Sequence, residues 1–188
     1  MNEYVKEPEF IRGWIKGGLR KITTKVGRAD PNEGVELIED YEHSYHYTIE
    51  PYTQMDLGSY VFSVDAKMPT GGRRYMRIKS RTDSCTMDML FDLYEGVNIT
   101  TGDLLLQDVY GWYYCEATGE VVDDNPFNIM IMLEKEVGNY DYEGDGTSSI
   151  YVDNPSMEYG TPAIDSNIYV VHNGIYVLHD GYQVTKNT

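Results

Sequence analysis

Two short stretches hold side chains whose types and spacing could do chemistry. Arg73, Tyr75, Arg77 and Lys79 alternate along 73–80, so an extended backbone sets all four on one face. A ring among cationic hydrogen-bond donors suits two tasks: stacking on the apolar face of a pyranose while binding its hydroxyls, or docking on an acidic protein surface, including a second copy of this chain. The second stretch is 139–146, where Asp141, Glu143 and Asp145 present a carboxylate at every second position, as the oxygen ligands of a calcium loop do. The EF-hand pattern fails there, because no Glu stands six residues after either glycine and no helices flank the loop. No cofactor is expected. A structural Ca²⁺ is the one metal this stretch would take, and an acidic, Gly-rich turn is the simpler reading.

Nothing selects a catalytic pair from the 31 Asp and Glu residues. No Gly-x-Ser-x-Gly, His-Glu-x-x-His or phosphate loop is present. His43, His46, His172 and His179 are scattered, and His43 and His46, three apart on a strand, point to opposite faces. The chain is therefore expected not to be an enzyme. Cys85 and Cys115 fit no metal-ligand spacing and no disulfide framework, so both read as free thiols. The triplet Asn98-Ile99-Thr100 fits a glycosylation sequon, a pattern frequent by chance.

The elements that must position these residues are strands. Helical periodicity is nearly absent, and its best window, 8–19, is broken by Gly13, Gly17 and Gly18. Period-two alternation recurs instead between turn signals. It marks 35–38, 44–49 with Tyr45, Tyr47 and Ile49 on one face, and 59–66 with Tyr60, Phe62, Val64 and Ala66 inward. The stretch 73–80 buries Met76 and Ile78, and 87–93, 104–109, 112–118, 127–133 and 150–152 follow. Phe62, Val64, Met76, Ile78, Phe91, Leu93, Cys115, Ile129 and Ile131 form the expected core, with Trp112 packed rather than exposed. Strands this short at this spacing predict an all-β antiparallel sandwich of jelly-roll type. An N-terminal arm over 1–13 precedes the sandwich at 14–162. A C-terminal hairpin or arm over 163–188 follows, because Asn173-Gly174 between β-branched runs signals a tight turn. Its apolar residues Ile168, Val170, Ile175 and Val177 are expected to lie against a neighbouring subunit.

Composition narrows the partners. In 188 residues, 15 Lys and Arg face 31 Asp and Glu, a formal charge of −16, which repels both nucleic acid and anionic lipid. The 18 tyrosines, against 4 Phe and 2 Trp, suit strands and half-wet surfaces. The first ten residues hold no apolar signal region and no run is long enough to span a membrane, so neither export nor membrane anchoring is expected.

The order of several motifs is informative beyond composition. Tyr60-Val61-Phe62-Ser63-Val64-Asp65-Ala66-Lys67 precedes an Arg-containing strand at 74–77, then Phe91-Asp92-Leu93-Tyr94-Glu95-Gly96 and Gly111-Trp112-Tyr113-Tyr114-Cys115. Tyr142-Glu143-Gly144-Asp145-Gly146-Thr147-Ser148-Ser149-Ile150-Tyr151 comes last. This order resembles the carbohydrate-binding-module-like, galactose-binding-like jelly-roll domains of tailed-bacteriophage virion proteins. The segment 152–158 departs from that pattern. The resemblance implies a non-enzymatic virion component, made in the host cytoplasm, acting as a capsid decoration or cement protein or a tail or fibre accessory. Its partners would be other virion proteins. The alternative it carries is a glycan-binding, lectin-like receptor module.

Overall fold

The computed structural model describes residues 3–6, 15–23, 27–28, 34–49, 56–159, 169–172 and 175–178. No helix occurs among them. In chain order the strands are β1 (Glu3–Lys6), β2 (Ile15–Gly17), β3 (Leu19–Thr23), β4 (Val35–Glu39), β5 (His43–Ile49), β6 (Gly58–Lys67), β7 (Tyr75–Ser80) and β8 (Asp88–Asp92). They continue as β9 (Val97–Asn98), β10 (Leu106–Gln107), β11 (Tyr113–Val121), β12 (Ile129–Glu134), β13 (Asp141–Glu143), β14 (Ser149–Tyr159), β15 (Tyr169–His172) and β16 (Ile175–Leu178).

The first sheet has the order β10-β11-β6-β14-β4-β3, with β1 also on β14, and the second has β13-β5-β12-β7-β8-β9, with β2 also on β5. The chain crosses between them repeatedly: β4 lies in the first, β5 in the second, β6 in the first, β7 and β8 in the second, and β11, β12 and β14 alternate again. The protein is thus an antiparallel β-sandwich of jelly-roll type, as the alternation predicts.

Burial follows the two-residue period. Tyr60, Phe62, Val64 and Ala66 of β6 face Met76 and Ile78 of β7, Phe91 of β8 and Ile129, Ile131 and Leu133 of β12 in one core. Every residue expected in the core is buried, and Cys85 and Cys115 are free, buried thiols. Trp112 is also buried, with its ring 6.5 Å from that of Tyr151 and apart from the main cluster.

Local structure departs from the sequence reading where side chains override alternation. The stretch 104–109 forms a strand only at Leu106–Gln107, with Leu104 in an isolated bridge to Val97, because Asp108 Oδ1 accepts from the N–H groups of Tyr110 and Trp112 and closes a turn. Conversely, β14 runs well past Val152 through a bulge between Asp153 and Ser156. Asn154 takes φ 47° there, its side chain donates to Asp65 at 2.8 Å, and Pro155, which has no N–H, is tolerated at such an irregularity. Arg28 lies across this outer face of the first sheet, donating to Asp65 at 2.9 Å and Asp108 at 2.8 Å.

At the ends, β1 lies inside the segment expected to be an arm and pairs with β14 as part of the first sheet. β15 and β16 form the expected antiparallel hairpin as a separate two-stranded sheet, with Val170 opposite Val177 and His172 opposite Ile175, and β16 runs beside β10. Ile168 and the turn residues Asn173 and Gly174 lie outside the described residues.

Candidate functional site

The outer face of the second sheet assembles the residues that the sequence singled out with others from distant positions. β7 buries Met76, Ile78 and Ser80, so Tyr75, Arg77 and Lys79 point outward. Registers then set rows of side chains across the strands. Tyr75 stands opposite Asp92 of β8 and Glu134 of β12. Leu133 pairs with His46, so Glu134 neighbours Tyr45 of β5, which in turn stands opposite Asp141 of β13. The row reads Asp92, Tyr75, Glu134, Tyr45, Asp141. Beside it on the same face, Ile49, Met130 and Met132 with half-buried Tyr47 form a small apolar cluster.

Aromatic rings mark both ends of the row. At the β5–β13 edge the rings of Tyr45 and Tyr140 lie 5.5 Å apart, and their residues are 48% and 39% exposed. At the other end the Arg74 guanidinium lies 5.2 Å from the ring centres of both Tyr75 and Tyr94, and Tyr94 is 63% exposed. Arg74 is held by Asp92, with Nε 2.9 Å from both carboxylate oxygens and Nη2 2.5 Å from one. Burial opposes ionisation of Asp92, yet Arg74 and the N–H groups of Glu95 and Tyr94 outweigh it, so the carboxyl titrates below its usual range. Between the ends, Arg77 bridges Asp88, at 2.5 Å, and the buried Glu134, whose other oxygen accepts from Gly138 N–H at 2.8 Å.

Arg73 does not join this row. It precedes β7 and turns to the fully buried Glu39, donating from Nε at 2.5 Å and Nη2 at 2.6 Å. The Tyr142 hydroxyl donates to the same carboxylate at 2.5 Å, and the guanidinium lies 5.2 Å from the Tyr142 ring centre. Burial and the bond to Glu39 push the Tyr142 hydroxyl far above its usual range. His46, also buried, places Nε2 3.1 Å from the Tyr142 carbonyl and Nδ1 against the Gly18 carbonyl, fastening β13 to the β2–β3 turn. This network anchors the edge strand that begins at Asp141, directly after Tyr140.

The three carboxylates of the calcium-like stretch are drawn apart. Asp141 and Glu143 are exposed on β13, which is a strand rather than the expected turn, and His43 Nε2 lies 3.7 Å from Asp141. Asp145 is engaged with its own loop: Ser148 and Thr147 donate backbone and hydroxyl hydrogens to it. Burial works against its ionisation, but these donors hold it well below the usual carboxylate range. Among the described residues no group of three His, Cys, Asp or Glu is placed to share a metal ion. Asn98 of the sequon is buried, its carbonyl oxygen accepting from the N–H groups of Thr100 and Thr101.

The sequence reading missed Tyr94, Tyr140, Arg74 and Glu134. Tyr94 and Tyr140 lie outside strands, where no periodicity flags them. Glu134 ends an apolar run whose outward positions, Met130 and Met132, hide the face that it shares with Arg77.

No protein-family model matches the sequence, and no curated protein matches it. Solved structures do resemble the fold. One is a family 6 carbohydrate-binding module from Clostridium cellulolyticum in complex with xylose: 15% identity, 84% of this chain and 97% of that one covered, TM-score 0.42. Another is TmCBM27, a carbohydrate-binding module described for specific mannan recognition: 11% identity, 86% and 97% covered, TM-score 0.41. Both are likenesses of outline, and neither neighbour's ligand passes to this chain through them. The virion part of the expected resemblance has no counterpart among them.

Proposed function

We propose that this domain is a non-catalytic glycan-binding module whose ligand lies across the strands of the second sheet. The row Asp92, Tyr75, Glu134, Tyr45, Asp141, with exposed rings at both ends, carries the reading. Tyr75 and Tyr45 stand two strands apart, about 10 Å at the ordinary strand spacing, so an oligosaccharide could meet both. Each ring is held before any ligand arrives, Tyr75 and Tyr94 by Arg74 and Tyr45 by Tyr140, which lowers the ordering cost of binding. The absence of turnover belongs to the same reading. Glu134 and Asp92, the carboxylates beside the rings, are bound to arginines, and an acid or base so held is poorly placed to move a proton. The virion role implied by the motif order would use this face or the β15–β16 hairpin, and no described side chain favours it over glycan binding.

Isothermal titration against neutral and amino oligosaccharides, including xylan and mannan fragments, tests the proposal. Binding is expected to at least one class, with Tyr75→Ala and Tyr45→Ala each weakening it tenfold or more at unchanged melting temperature. Tyr110→Ala, on an exposed ring away from the row, should leave affinity intact. Full affinity in both row variants, or no binding to any oligosaccharide, would overturn it.

A further inference from the structure

The charge balance of this face limits the kind of glycan it accepts, and the limit rests on the glycan-binding reading above. An acidic sugar is normally gripped by a guanidinium fork. Among the described residues, every guanidinium near the row is already engaged: Arg73 by Glu39, Arg74 by Asp92, Arg77 by Glu134 and Asp88. Lys79 lies 3.4 Å from Asp88, which Arg77 also uses. Exposed Lys135 is followed directly by exposed Glu136.

Carboxylates are in surplus. Asp141 is 54% exposed and lies beside the open ring pair of Tyr45 and Tyr140. Its ion-pair contact, His43, carries charge only when protonated. Glu143 is exposed two residues on, opposite His43. Tyrosine faces bordered by carboxylates attract an ammonium group twice, through the ring quadrupole and through direct charge. They repel a uronate or a sulfate. A chain charge of −16 acts in the same sense at longer range.

We infer that the ligand of this face is an amino-sugar oligomer of the glucosamine type, with free amino groups lodged between the Tyr45–Tyr140 pair and Asp141 and Glu143. The pair of tyrosines supplies the sugar-stacking surface, and the two carboxylates supply the selection for charge.

The test compares the glucosamine tetramer with its N-acetylated counterpart, which has the same backbone without the charge. Titration at pH 6 and low salt is expected to give at least tenfold tighter binding of the free amine. The preference should fade when the pH is raised until the amines are neutral. The double variant Asp141→Asn/Glu143→Gln should lose the preference while keeping its melting temperature. Glu120→Gln/Asp124→Asn, the same charge change on exposed residues away from this face, should keep it. Equal or tighter binding of the acetylated tetramer overturns the amino-sugar inference and leaves the glycan reading standing. So does loss of the preference in the Glu120/Asp124 variant, which would reveal a bulk charge effect. No binding of any oligosaccharide overturns both.

Discussion

Three arginines close together in the chain, Arg73, Arg74 and Arg77, end in three different environments, and the carboxylate each one meets decides its role. Arg73 is nearly buried against Glu39 and holds the end of the sandwich together. Arg74 is 41% exposed and stiffens two rings. Arg77 ties β12 to β8 across the face. Breaking a buried pair by removing one partner strands a charge, so Arg73→Ala should lower the free energy of unfolding by about 3–5 kcal/mol. Arg74→Ala should cost about 1 kcal/mol or less, because solvent screens its pair. Urea unfolding of both variants checks the order, and equal losses would show that Glu39 is not dependent on Arg73. Alternation placed Tyr75, Arg77 and Lys79 correctly. It misplaced Arg73, because the strand begins only at Tyr75 and a residue before a strand is aimed by whatever partner it finds.

The element that matters most is β13, three residues long and, among the described residues, paired only with β5. It holds Tyr140 and Asp141 at the edge of the row, and the chain behind it passes extremely close to other backbone. A Cβ at Gly144 would sit 2.2 Å from the Asp40 carbonyl oxygen and 2.7 Å from the His46 ring. Backbone cannot yield there as a flexible side chain could. Gly144→Ala should therefore cost about 1–3 kcal/mol through overpacking. It should also weaken glycan binding by shifting β13. Gly71→Ala meets no atom within 4 Å, so its loss should come from its φ of 75° alone and leave binding unchanged. Thermal melts and titrations of the two variants separate these effects, and intact binding in Gly144→Ala would show that β13 does not position the site. An acidic Gly-rich stretch reads as a turn in sequence because its hydrogen-bond partner, β5, lies almost a hundred residues away.

At the scale of the whole molecule, two seven-stranded sheets close the core without the hairpin. All the core residues of the main cluster lie between Leu19 and Met157. A hairpin alone is marginal in water, so β15 and β16 depend on a surface, and β16 runs beside β10. Deleting residues 164–188 should leave a cooperative melt, because no strand of either sheet is removed. Calorimetry and sedimentation of the truncated protein check this. A non-cooperative transition would make the hairpin part of the fold, and a fall in molecular mass of any oligomer would identify it as the assembly arm expected from its apolar sequence.

Strand positions, the inward residues of β6, β7 and β12, and the all-β class follow from alternation between turn signals, since a two-residue period needs only local backbone geometry to become a buried face. The expectation that nucleic acid and anionic lipid are repelled follows from charge, which needs no structure at all. The sequence by itself also picked out Tyr75, Arg77 and Lys79 as one outward row. What tertiary structure alone decided is which side chains from other strands stand beside them. Register pairs Tyr75 with Glu134 and Asp92, and Tyr45 with Asp141, over separations that no local pattern encodes. It also decided which charges are left over: guanidinium groups that read as free in sequence are consumed by buried carboxylates, while Asp141 and Glu143 remain exposed at an edge strand. Charge can be counted along a chain, but whether a charge is neutralised depends on distances of a few ångströms, and those exist only once the sheets have packed.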